Sequence, residues 1–442
     1  MTWLSCGSTP AASTQNSGLK YRAFITNNVS SGTAVASVAI LDAQNDLRAN
    51  ASPISAGNTP GMMVVTPNRA QTLVFSSNGS QFSDNQLSII NNASEQNAAH
   101  ATLPGMTESF LVSPDSSAVY VAVPTAKVTG QAPGIVEAIS LSSGAVTGQV
   151  NVPAVHYLSM DHGGNRILGF SDVLASLAPP CQNTTPSFLF VITPTSDIGV
   201  NPCPVIPVPG FDHPVQAFFS SDDRTAYVLN CGAECGGVTA GVQPLDLTTC
   251  SPTTETCGPP GASLLVPAAS EALLDGSTMY LAGSYANLSN TQPCTGQTIY
   301  SPTCGAITIV DLTTMTVKAA GIAITDGYHN RIALGANGQL FIGARTCTQN
   351  PGVSGCLSIF NTLNVAVGSV QANSVLIPPQ SGDVTGIQPI ANRPVVYVVQ
   401  GGSLFIYDAT LDALYNNPHD PNSPGQIFGL VGNFIDVKTI DF

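Results

Sequence analysis

One unit recurs along this chain, and the recurrence limits the fold more than any other feature. An apolar strand is followed by a tight polar turn, then by a second strand with an aromatic or large aliphatic residue at a fixed place. "MMVVTPNRAQTLVFSS", "SFLVSPDSSAVYVAV", "AFFSSDDRTAYVLN", "ALLDGSTMYLAG", "IALGANGQLFIGA" and "IQPIANRPVVYVV" are copies, and "YLSMDHGGNRILGFS" is a looser one. Pro, Asp, Asn and Gly in mid-unit preset or tolerate the dihedrals of a hairpin turn. Aligned on their second strands, the copies put Phe24, Leu73, Tyr120, Leu168, Tyr227, Tyr280, Phe341 and Tyr397 in one column, 47 to 61 residues apart. A third strand follows each, as in "GAITIVDLTT", and often a weaker fourth, as in "GAVTGQVNVP". Four strands at this period are the signature of a β-propeller blade. Helical periodicity is nearly absent, with "DVLASLAPP" the one expected short turn of helix.

Eight columns predict eight blades, with seven as the alternative if the short first copy is a decoration. The first copy, from Lys20, lacks a preceding strand, and the last has an extra one in "GNFIDVKTIDF". The C-terminal strand is therefore expected to complete the first blade and close the ring, leaving no open sheet edge. The expected organisation is a flexible tether over 1–19 and a single all-β propeller over 20–442.

Composition excludes several functions. Twelve Lys and Arg face 26 Asp and Glu, a net charge of -14, so no basic stripe exists to neutralise nucleic-acid phosphates. A 43% hydrophobic content argues against disorder. No run nears the roughly 18 apolar residues of a membrane span. Apart from Cys6, ten cysteines fall as close neighbours: Cys181 and Cys203, Cys231 and Cys235, Cys250 and Cys257, Cys294 and Cys304, Cys347 and Cys356. The stretches between them are rich in Pro, Gly and Thr, with no His nearby, so they read as disulfides of an oxidising compartment rather than zinc ligands, with connectivity left open. Most flank long loops between second and third strands, which suit a preformed surface for a glycan, peptide or protein as well as protease resistance.

Ligand sites in this architecture are expected at the mouth of the central channel, on the loops entering the innermost strands. Those positions hold Asn58, Thr59, Glu108, His156, His213, Gln216, Glu271, His329, Arg331 and Asp383. Three of the six histidines are among them, and imidazole serves as base, ligand or hydrogen-bonding group. The plain alternative is that polar residues line a water-filled channel. Hydrolysis of a lactone needs a base for water and a cation for the developing charge. Glu108 or Glu271, with His329 and Arg331, supplies those types, though no local motif ties them together. No G-x-S-x-G elbow, Rossmann context, C-x-x-C-H or EF-hand loop occurs, and the single tryptophan, Trp3, lies outside the repeats, so no cofactor and no metal are expected.

The phrases "VSPDSSAVYVAV" and "GAITIVDLTTMTVKAAGI" resemble the YVTN-repeat and lactonase-like propeller superfamily of bacteria, over nearly the whole chain after residue 20. That superfamily includes periplasmic and surface proteins of unassigned activity, sugar-lactone hydrolases and haem-carrying propellers of denitrification. The resemblance thus implies an extracytoplasmic propeller with three readings. The first is a binding or scaffold module for a protein, glycan or small molecule. The second is a lactonase-like hydrolase, and the third a haem-associated or redox propeller. "WLSCGS" resembles a lipoprotein lipobox, which makes Cys6 the expected lipid attachment and implies peripheral membrane association. An intermolecular disulfide or a free thiol at Cys6 stays open beside it.

Overall fold

A computed structural model describes residues 16–28, 36–77, 84–179, 181, 183–199, 205–289, 291, 294, 300–348, 355–366, 369–370, 375–419, 424–427, 430 and 432–441. Its strands form eight four-stranded antiparallel sheets. Blade 1 runs outward from Phe434–Thr439 through Arg22–Asn27 and Ser37–Asp42 to Leu47–Arg48. Blades 2 to 8 begin at the axis with Pro60–Val65, Phe110–Val112, Val155–Met160, Pro214–Phe219, Glu271–Asp275, Tyr328–Leu334 and Val384–Pro389, each continuing outward in chain order. Every innermost strand touches the next, and those of blades 8 and 2 flank Phe434–Thr439. The protein is an eight-bladed β-propeller. The seven-blade alternative is set aside, because the short first copy is a full blade once the C-terminal strand joins it, with Phe24 opposite Lys438.

The eight column residues all lie on second strands. A second strand has a neighbouring blade on both faces, so it reads as a continuous apolar run. In Val395–Gln400, Val396 and Val398 pack toward blade 7, while Val395, Tyr397 and Val399 pack toward blade 1. The described residues form eight apolar clusters, one for each blade interface. The turns behave as their composition implies. The hydroxyls of Thr66, Ser113 and Ser220 accept backbone N–H groups from Gln71, Ala118 and Thr225 at 3.0–3.1 Å. Arg69, Ser116, Asp223, Asn337 and Asn392 take positive φ at the bends.

One expectation is corrected. "DVLASLAPP" is not helical: its first four residues extend the second strand of blade 4, Ile167–Ala175, and Ala175 pairs with Ser187 beyond a bulge. Strand pairing here outweighs the helical propensity of Leu and Ala.

Four disulfides join neighbours in sequence: Cys231–Cys235, Cys250–Cys257, Cys294–Cys304 and Cys347–Cys356. Cys181 is also disulfide-bonded. Cys203 and Cys6 lie outside the described residues. These crosslinks mark a protein of an oxidising, extracytoplasmic environment. Within the expected tether, Ser17 hydrogen-bonds Glu95 of blade 2 through its backbone N–H and its hydroxyl.

Charge is concentrated where the ring closes. Arg22, on blade 1, meets Asp441 at 2.6 Å, Glu95 at 2.9 Å and the Asn92 carbonyl at 2.6 Å, tying the chain's end to blades 1 and 2. On the other flank Arg393 of blade 8 grips both oxygens of Asp46 at 2.8 and 2.6 Å, and Tyr397 donates to the same carboxylate at 2.6 Å. Glu95 and Asp46 are only 4% and 2% exposed, so removing a partner strands a charge. Arg22→Ala is expected to cost about 3–5 kcal/mol of unfolding free energy in denaturant titrations. A loss within about 0.5 kcal/mol, usual for a surface site, contradicts this role.

Candidate functional site

The innermost strands of blades 4, 5, 7 and 8 each carry a β-bulge close to their first residue. A bulge places one extra residue outside the ladder and re-aims its side chain. In blade 4, Val155 pairs with Ser171 and Tyr157 with Phe170, so His156 is the extra residue. Consecutive side chains, His156 and Tyr157, thereby both reach the channel mouth. They line a cavity of about 280 Å³ with Glu108 of the blade 3 entry loop, Asp172, His213, Glu234 and Tyr328.

A chain of polar contacts crosses this cavity. The Tyr157 and Tyr328 hydroxyls lie 3.3 Å apart, joining blade 4 to blade 7 across the axis. Tyr157 also donates to Glu108 at 3.4 Å. Glu108 lies 3.6 Å from Nδ1 of His156, whose Nε2 is 3.2 Å from Asp172. Glu108, and Asp172 behind it, push the His156 imidazole above its ordinary value against the opposing effect of burial. His156 in turn holds the Glu108 carboxyl low, helped by Arg345 and Tyr157. His213 shares its Nδ1 with Asp212 at 3.0 Å, and the Phe188 ring packs against it at 4.4 Å.

Glu234 arrives differently. It sits on the short 3-10 helix Gly232–Cys235, which the Cys231–Cys235 disulfide spans. The crosslink holds this turn against blade 6, where the Ser284 N–H donates to Oε2 at 2.8 Å. Its Oε1 is buried without a partner. Desolvation pushes the Glu234 carboxyl up to about 7, and the same cause lifts Glu271 to about 7 despite the nearby charge of Arg331.

The other candidates separate. Gln216 and Glu271 are neighbours, since Gln216 accepts the Ala272 N–H at 3.3 Å and bonds the Glu271 side chain. Arg331 donates to the carbonyls of Thr385 and Asn330 at 2.7 and 2.6 Å. Asp383 is exposed and accepts the Thr346 N–H at 2.9 Å. Asn58 is exposed on blade 2, and Thr59 is buried beside Ser76. His329 does not reach the mouth. It is 0% exposed, its Nε2 meets the Thr325 carbonyl at 2.8 Å, and burial lowers its pKa to about 4. The extra residue of its strand is Asn330, the counterpart of His156, so His329 stays in the ladder opposite Ala344, where blade 4 has Val155 opposite Ser171, and turns inward. Tyr157, Tyr328, Asp172, Glu234 and Arg345 were not expected at this site. The doublets "HY" and "YH" in "VHYL" and "GYHN" are the only sequence signal that marks the two tyrosines.

Among the described residues, no three His, Cys, Asp or Glu side chains converge closely enough to hold a metal ion. No protein-family model matches the chain, and no curated protein matches it. Solved structures do match. Hydrazine synthase of Kuenenia stuttgartiensis is 12% identical with a TM-score of 0.53, over 80% of this chain and 96% of that one. The computationally designed Ika8 protein is 9% identical with a TM-score of 0.50, over 88% and 98%. The periplasmic gluconolactonase PpgL of Pseudomonas aeruginosa is 13% identical with a TM-score of 0.45, over 95% and 98%. At these identities the likeness is one of fold.

Glu234 and Glu271 give a pH test. Both carboxyls are raised from 4.5 to about 7, so between those values the folded state holds protons that the unfolded state has released. Their stabilisation is complete below pH 4.5 and is lost as pH rises to about 7, by at most roughly 3 kcal/mol each. Denaturant titrations at pH 5 and 8 are expected to show that fall, reduced in Glu234→Gln and Glu271→Gln. An unchanged difference in both variants contradicts the assignment.

Proposed function

We propose that the protein is an extracytoplasmic binding propeller whose channel mouth, between blades 3, 4, 5 and 7, takes a small-molecule ligand. The observation that carries this reading is the tyrosine pair. Tyr157 and Tyr328 meet across the axis, and both line the cavity at the channel mouth. Concave sites with a few convergent polar groups are where small ligands bind. In the same reading, Cys6 of "WLSCGS" carries the lipid that holds the ring at a membrane.

A hydrolase of the lactonase-like kind is the second reading. Its support is the pair of carboxyls held near neutrality, where a general base for water is most effective. Glu234 and Glu271 are its bases and Arg331 its cation, whereas buried His329 has no part in it. Haem is less well supported, since both ring nitrogens of His156 are engaged by carboxylates.

Thermal-shift and calorimetric screening of the full chain against a panel of small amines, sugars, lactones and organic acids tests both readings. The binding reading predicts at least one ligand whose affinity falls roughly ten-fold or more in Tyr157→Ala. A panel with no compound sensitive to that change contradicts it. Lactone turnover that disappears in Glu271→Gln favours the hydrolase.

A further inference from the structure

The mouth cavity is richer in hydrogen-bond acceptors than in donors. Glu108 and Asp172 bring two carboxylates to it, and Glu234 adds a carboxyl raised to about 7. The donors beside them are largely committed. The tyrosine hydroxyls engage each other and Glu108, and His156 is held between Glu108 and Asp172. His213 directs Nδ1 to Asp212. Glu234 retains a buried Oε1 with no partner. Arg345 acts on Glu108 electrostatically, more strongly than on Asp383 and Tyr328, but does not line the cavity.

Three kinds of small ligand meet this wall differently. A carboxylate brings like charge to Glu108 and Asp172. A sugar hydroxyl can donate to these acids but brings no positive charge for them to attract. An ammonium group only donates, and the faces of Tyr157 and Tyr328 attract it through the ring quadrupole. The net charge of -14 also favours the approach of a cation.

We propose that the cavity binds a small aliphatic diamine, its ammonium groups drawn to the acids Glu108, Asp172 and Glu234 beside the rings of Tyr157 and Tyr328. This inference rests on the reading of the mouth as a ligand site and adds the charge and class of the ligand. Carboxylates on an open surface attract cations weakly. Here they share a cavity with two aromatic rings, with Glu108 and Asp172 half exposed at its mouth, which gives the charge a defined position.

The test is calorimetry on the full chain with 1,4-diaminobutane and its neutral analogue 1,4-butanediol. The diamine is expected to bind roughly ten-fold or more tightly than the diol, and less tightly as salt is raised. Glu234→Gln is expected to weaken the diamine roughly ten-fold. Asp222→Asn removes the same charge at an exposed turn outside the cavity, and it is expected to leave binding unchanged. Tyr157→Phe keeps the ring and should retain binding, whereas Tyr157→Ala should lose it. Thermal melts identify any variant that fails to fold, and Glu108→Gln then replaces it. Equal affinity for diol and diamine, no heat from the diamine, or equal effects of Glu234→Gln and Asp222→Asn would each overturn the inference. If a neutral or anionic compound binds and is lost in Tyr157→Ala, the ligand-site reading stands and only the amine assignment falls.

Discussion

Ring closure depends on a buried guanidinium. Arg22 holds the chain's last described residue, Asp441, and the Glu95 carboxylate at one point, so strand Phe434–Thr439 is locked into a blade whose other strands come from the beginning of the chain. Apolar packing alone does not specify that arrangement, because the interfaces between blades are built from similar aliphatic surfaces. Directional charge contacts do specify a register, although at a desolvation cost. The chain has 12 basic residues in all, and Arg22, Arg69, Arg393 and Lys438 each make a contact to blade 1. In a circle of eight blades, an unfastened joint would let every interface relax.

The mouth inherits its geometry from that circle. Tyr157 and Tyr328 belong to blades 4 and 7 and meet only if the intervening blades hold their spacing. The contact between their hydroxyls therefore reads out the diameter of the ring. Around it, burial and charge act in opposite senses on similar groups. Glu108 is kept ionised by His156, while Glu234, short of partners, is pushed up to about 7. Carboxyls of different readiness to ionise thus share one cavity, and each is set by its own neighbours.

The architecture was legible in the sequence because its causes are local and repeated. Second strands buried on both faces leave apolar runs such as "VVYVV", and the hairpin turns leave Asp, Asn and Gly at fixed offsets. Disulfides between near neighbours follow the same logic. The site was less legible, because bulges decide it. His156 and His329 stand at the same distance in sequence before Leu168 and Phe341, yet the hairpin turn of blade 7 is one residue shorter, so His156 is the extra residue of its strand while His329 falls one place before the extra residue and stays in the buried ladder. No residue type announces where the extra residue falls. Glu234 was hidden for another reason: in "CGAEC" the cysteines draw the eye, and the acid between them reaches the cavity only because the crosslinked turn leans on blade 6.

The most direct test of this account is native-state hydrogen exchange on the strands Phe434–Thr439, Val155–Met160 and Tyr328–Leu334. If the ring is a single cooperative closure, the most protected amides of all three exchange through one common opening, and Arg22→Ala lowers their protection equally. Rapid local exchange of Phe434–Thr439, with the strands of blades 4 and 7 still fully protected, would show that the mouth does not depend on the closing strand, and would contradict it.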